Sequence, residues 1–354
     1  MAQINKPSEY FNTVLYTGDG TSSNAITGVG FQPDWVWIKQ RDTTRSHQLM
    51  DAVRTASYRL QSDTTNAESS SALTSFDSDG FTVDGTSLNG TNASGGTYVA
   101  WNWLANGAGV SNTDGSITST VSANTTSGFS IVSYTGNGTS GATVGHGLGA
   151  NPAMIIFKNR IDSSSAKWAV YHKSIFVSQA DPNILYLEAT AATADDTNVL
   201  GNSTVTLNST VFSLGDYNGS NGNTDGIIAY CFAEKKGFSK FGSYVGNGSA
   251  DGTFVYTGFK PAMIIFKNTT TSGTSWTIYD NKRDTYNVTN HLLLPSGSDP
   301  EISANSTLYL DFLSNGFKMR GANSTFNTSG DTYIYMAFAE EPLVGTNNIP
   351  ATAR

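Results

Sequence analysis

The chain has 354 residues, a formal charge of -8, 14% charged side chains and one cysteine. An acidic chain whose only basic doublet is Lys235-Lys236 excludes nucleic acid as the expected partner, because phosphates need a cationic face. A lone Cys231 excludes an internal disulfide or thiolate zinc cluster, and no apolar run reaches the ~18 residues of a membrane helix.

Residues 1–9 read as a short arm, and Met1 to Pro7 has no apolar signal core, so the expectation is a protein made in a cytoplasm. Tyr16-Thr-Gly-Asp-Gly-Thr then opens a unit, and Gln32-Pro-Asp-Trp-Val-Trp-Ile-Lys-Gln40 follows it. The same pair returns as Tyr134-Thr-Gly-Asn-Gly-Thr with Asn151-Pro-Ala-Met-Ile-Ile-Phe-Lys-Asn159. It returns again as Tyr244-Val-Gly-Asn-Gly-Ser with Lys260-Pro-Ala-Met-Ile-Ile-Phe-Lys-Asn268. From tyrosine to proline the distance is 17, 18 and 17 residues, so spacing recurs as well as residue type. Internal repetition of this kind takes precedence over propensity in deciding architecture.

Two further blocks recur. Trp168-Ala-Val-Tyr-His172 matches Trp276-Thr-Ile-Tyr-Asp280, with His47-Gln-Leu-Met-Asp51 as the first counterpart. Tyr98-Val-Ala-Trp-Asn-Trp103, Ile227-Ile-Ala-Tyr-Cys-Phe232 and Tyr333-Ile-Tyr-Met-Ala-Phe338 close the units. Asp79-Gly-Phe81 and Asn315-Gly-Phe317 mark tight hairpins. Met154–Phe157 is apolar without alternation, which suits a strand buried on both faces. Helical periodicity is confined to a turn or two in His47–Leu60.

The expected fold is all-β: three tandem antiparallel β-sandwiches. The units fall at 10–105, 128–235 and 237–340. Residues 106–127 read as a linker or an added hairpin, and 341–354 as an extended tail outside any core.

Candidate chemistry is sparse. The four histidines, His47, His146, His172 and His291, sit in no local nucleophile signature, and His172 gives way to Asp51 and Asp280 in the other units. Carboxylates such as Asp77, Asp79, Glu340 and Glu341 show no spacing that would place two acids on one strand face. Asp216, Asn218, Asn221, Asn223 and Asp225 offer alternating oxygens in a Gly-rich loop, the one place suited to calcium, although an EF-hand's spacing and bidentate Glu are missing. No other cofactor is expected. Trp35, Trp37, Trp101 and Trp103 have apolar counterparts in every unit and read as core. Tyr16, Tyr134 and Tyr244, beside polar turns, are the candidates for stacking on a glycan.

The strings Tyr10-Phe-Asn-Thr-Val-Leu-Tyr16, Gly28-Val-Gly-Phe-Gln-Pro-Asp-Trp-Val-Trp-Ile-Lys39, Leu73-Thr-Ser-Phe-Asp-Ser-Asp-Gly-Phe81 and Tyr98-Val-Ala-Trp-Asn-Trp103 resemble a module common in structural proteins of marine tailed bacteriophages, including those infecting cyanobacteria. The ending Phe338-Ala-Glu-Glu-Pro-Leu-Val with Pro350-Ala-Thr-Ala-Arg354 is similar to the close of such chains. The resemblance implies sandwiches of jelly-roll or concanavalin A-like type and a non-enzymatic virion component, tail fibre- or adhesin-like. Its implied partners are other virion proteins of capsid or tail and host-surface glycans, with neither nucleic acid nor membrane insertion, and an oligomer is compatible with it. Capsid decoration is the first alternative; a polysaccharide-binding lectin or hydrolase is the second. With a first unit beginning by residue 10, the arm or the tail is the expected docking strap, able to add a strand to a neighbour's sheet.

Overall fold

The computed structural model describes residues 4–86, 90–163, 166–178, 181–196, 198–201, 205–303, 307–345 and 350–352. The recurring blocks form the strands. In the first segment Phe11–Thr17, Thr97–Trp103, Trp35–Gln40 and Gln48–Asp51 lie side by side in that order. The order is the same for Ser239–Val245, Thr332–Pro342, Phe259–Asn268 and Thr277–Asp280. It appears once more, inside a larger sheet, for Phe129–Thr135, Gly226–Phe232, Met154–Asn159 and Ala169–His172. Register is shared too: Trp35 pairs with Trp103, Met154 with Phe232 and Met263 with Phe338. The named strands pair antiparallel and no sheet closes, so the chain is all-β with several open sheets.

Each large sheet carries a small one on one face. Asn24–Thr27, Gly80–Val83 and Leu73–Asp77 form the first, and Phe254–Tyr256, Gly316–Met319 and Leu310–Leu313 the third. The second has Thr143–Gly145 beside Val211–Ser213. Val36, Ile38, Tyr98 and Ala100 of the first large sheet pack there against Ile26, Phe81 and Val83.

The opposite face carries the organising feature of the molecule. Trp35, Trp37, Trp101 and Trp103 join Met154, Ile156, Tyr230 and Phe232, and Met263, Ile265, Met336 and Phe338, in one continuous core. Trp35 stacks on Tyr230 at 4.4 Å between ring centroids, while Phe338 meets Trp103 at 5.7 Å and Phe232 at 6.0 Å. The three large sheets therefore cover one another's inner faces. That is why their strands show no alternation: every residue of Trp35–Gln40, Met154–Asn159 and Phe259–Asn268 is buried. Each large apolar side chain so buried contributes roughly 1.5–3 kcal/mol.

Three local expectations are refined. The 106–127 stretch contains strands Val110–Asn112 and Ser119–Asn124, the second pairing with Phe129–Thr135, so it is the hairpin and not the linker. His47–Leu60 makes no helix. Gln48–Asp51 is a strand, and the Asp51 carboxylate accepts the Arg54 N–H at 2.8 Å and forces a turn. From residue 4 onward the arm is seated, since Ile4 is 3% exposed within the shared core.

Candidate functional site

The tyrosine turns come first, because they were the expected glycan contacts. Tyr134 and Tyr244 are buried, and Tyr16 is half-buried with its ring stacked on Tyr98 at 4.8 Å. Each hydroxyl donates to a backbone carbonyl: Tyr16 to Thr91 at 2.7 Å, Tyr134 to Ser220 at 2.6 Å and Tyr244 to Phe326 at 2.8 Å. Burial raises all three phenol pKa values. Tyr134 and Tyr244 are enclosed by protein, Tyr16 lays one face on Tyr98, and all three hydroxyls serve the turn.

The carbonyl acceptor precedes a buried asparagine in every case: Asn92, Asn221 and Asn327. The Oδ1 of each accepts the N–H of the fourth turn residue, from Asp19, Asn137 and Asn247, at 2.9–3.0 Å. A Cβ on the first turn glycine would strike the backbone carbonyl of Ala93, Gly222 or Thr328, which fixes Gly18, Gly136 and Gly246. The second turn glycine has φ between +64 and +72. Sequence reasoning missed the asparagine brace, although it sits six residues before Tyr98, Ile227 and Tyr333 alike.

The expected calcium loop contains one of these braces. Asn221 lies within a one-turn helix, Asn218–Asn221, and its Nδ2 donates inward to Gly215 O at 2.6 Å and Thr139 O at 3.1 Å. Asp225 accepts from Asn159 Nδ2 at 2.7 Å, while Asp216, Asn218 and Asn223 are exposed. The Asn221 amide is spent inside the fold, and among the described residues no group of three His, Cys, Asp or Glu side chains could hold a metal.

The titratable groups of the third block span the seams between segments. Asp51 accepts from Tyr230 Oη at 2.8 Å, joining first to second. Asp280 accepts from Trp101 Nε1 at 3.1 Å, joining third to first. His172 accepts from Ser174 N–H on Nδ1 and donates from Nε2 to Tyr335 O at 3.1 Å, joining second to third. Arg54 and Arg283 stabilise the two aspartates at 2.6 Å, whereas burial pushes the His172 pKa down to about 3 and keeps it neutral. The exchange of His for Asp follows the partner: an aspartate where Tyr or Trp donates, a histidine where only a carbonyl is present. Lys39, Lys158 and Lys267 are fully buried and donate to backbone carbonyls, with burial drawing each down to about 8. Lys158 reaches Thr65 O at 2.9 Å across a seam.

Outward chemistry differs between segments. On the third small sheet Phe254 and Tyr256 point away from Val255 and the core, 45% and 54% exposed. Gly316 stands opposite Tyr256 and Lys318 opposite Phe254, so one ring has an open flank and the other a cation beside it. The equivalent first-sheet positions are Ala25 and Thr27, opposite Thr82 and Gly80.

The family model that matches is described as Domain of unknown function (DUF7483) and covers residues 6–342. The chain belongs to this family. No curated protein and no solved structure matches it. The matched span takes in all three large sheets with their shared core, so the family is defined by the assembled body. In this DUF7483 chain the buried acids, bases and tyrosines hold turns and seams together, and Phe254 and Tyr256 lie on an outer face.

Proposed function

We propose that the protein is a non-enzymatic surface component of a bacteriophage virion, tail fibre- or adhesin-like, which contacts other virion proteins and recognises host-surface glycans. The observation that carries the binding role is the outward pair Phe254 and Tyr256, where the first segment has Ala25 and Thr27. No packing need explains aromatics there, because Val255 already fills the core position. An exposed ring accepts the C–H face of a sugar, while the Lys318–Asp251 and Arg320–Asp311 ion pairs beside it place charged groups near its hydroxyls. The virion setting is supported by the four recurring blocks and their likeness to phage structural modules.

Two measurements test this. Binding to a panel of bacterial surface glycans should drop at least about tenfold in Tyr256→Ala and Phe254→Ala, with melting temperature unchanged. Equal binding by all three proteins sinks the assignment of this face. Quantitative mass spectrometry of particles should count a few dozen copies or fewer. A ratio of one per few capsid subunits places the protein on the head instead.

A further inference from the structure

The arginines of this acidic chain divide into two groups. Among the described residues, Arg41, Arg54, Arg160, Arg283 and Arg320 each face a carboxylate, at 2.6–3.4 Å. Arg45 and Arg59 are in no such pair, and both line a single cleft of about 310 Å³ where the first segment meets the third. Arg59 is half-buried, yet its bonds go to neutral acceptors: Gln48 Oε1 at 2.9 Å and Ser69 Oγ at 3.1 Å. Desolvation draws its pKa below the usual arginine value. A partly desolvated cation without a counter-charge is costly unless an anion arrives from outside.

The cleft is built rather than incidental. Arg45 N–H donates to Ser298 O at 2.9 Å and Ser62 Oγ to Pro295 O at 2.7 Å, so the two walls are tied across the seam. Gln48, 2% exposed, is fixed by donating to Ser46 O at 3.0 Å. Gly90 leaves the cleft open, since a Cβ there would stand 3.3 Å from Gln48 Nε2. Beyond the arginines the lining offers hydroxyls of Thr44, Ser46 and Ser298 and the amide of Gln61, the Gln48 amide being spent on Arg59 and Ser46, with neither an acid nor an apolar side chain. An apolar peptide anchor has nothing to pack against here, whereas a polyhydroxylated ring with one oxyanion finds both guanidinium and hydroxyl partners. The volume is at the small end for ligand clefts, about one sugar unit.

We infer that the Arg45–Arg59 cleft is a binding site for an acidic saccharide, its carboxylate or sulfate ester held by the two guanidinium groups. The inference rests on the glycan-recognition reading above and adds a second, charge-selective site to it.

Calorimetric titration of the full chain with glucuronate, a glucuronate tetrasaccharide, glucose 6-sulfate, glucose and inorganic sulfate tests it. Expected is binding of at least one acidic sugar, weakened by salt. Glucose, and the acidic sugar in Arg45→Gln or Arg59→Gln, should bind roughly ten- to a hundredfold more weakly. Arg45 is exposed, so Arg45→Gln should keep the wild-type melting temperature and report on binding alone. No heat with any acidic sugar, or unchanged affinity in both variants, overturns the site. Inorganic sulfate binding as tightly as the sugars overturns the saccharide assignment. Neutral glycans still captured through Tyr256 in that event leave the broader glycan reading standing; their loss as well removes both.

Discussion

Asn327 shows how much one buried amide holds in this protein. Its Oδ1 accepts from Asn247 N–H, and its Nδ2 donates to Ser249 O and Gly321 O at 2.8 Å. Truncation strands several buried polar groups at once, so Asn327→Ala should lower unfolding free energy by about 2–3 kcal/mol in urea titrations. A loss below about 0.5 kcal/mol would show that water replaces the amide. His172 gives a pH signature. Its folded pKa of about 3 lies below the ordinary 6.5, so its contribution is complete above 6.5 and lost as pH falls towards 3. His47 and His146 are depressed by burial in the same direction. Melting temperature should fall across that window, less steeply in His172→Gln than in wild type. Core tryptophans were legible from their apolar counterparts. The role of the turn tyrosines was not, because each hydroxyl's partner lies 75–86 residues away and polar neighbours imitate exposure.

A strand in this fold is defined by which of its faces meets what. On Phe254–Tyr256 and its neighbours, Phe317 is fully buried while Phe254 and Tyr256 face outward. Phe317→Ala should cost ~3–5 kcal/mol, against changes within about 0.5 kcal/mol for Phe254→Ala and Tyr256→Ala, read from the same melts. Similar losses at all three positions would mean the outer face is covered. The large-sheet strands were readable because unbroken apolar runs of β-branched and aromatic residues have few other fates. The stretch after Met50 was not: Asp51 and Arg54 are spaced for a helix pair, but a buried ion pair needed across the seam to Tyr230 favours a turn.

The whole molecule is a ring of three segments around one core, closed where the third meets the first. Glu68 with Arg160 and Glu301 with Arg41, both at 2.7 Å, clamp two seams, while the seam between second and third carries Trp276 Nε1 to Tyr186 O at 2.9 Å and a longer Lys240–Glu234 pair at 3.9 Å. Because each large sheet is covered by the other two, a single calorimetric unfolding peak is expected, with calorimetric and van't Hoff enthalpies equal. Phe338→Ala should shift that whole peak, and residues 128–235 expressed alone should lack a cooperative melt. Three separable peaks would show independent units. The recurring strand order was legible in the repeated blocks; the mutual burial of the large sheets was not, since no sequence pattern states what covers a strand's second face.

Joining the three segments in one polypeptide also fixes valency. A homotrimer would present Tyr256 and the Arg45–Arg59 cleft three times around its axis, whereas this ring presents each once. On the proposed glycan-binding role, one copy then engages a repetitive surface through single sites, and avidity requires several copies held together.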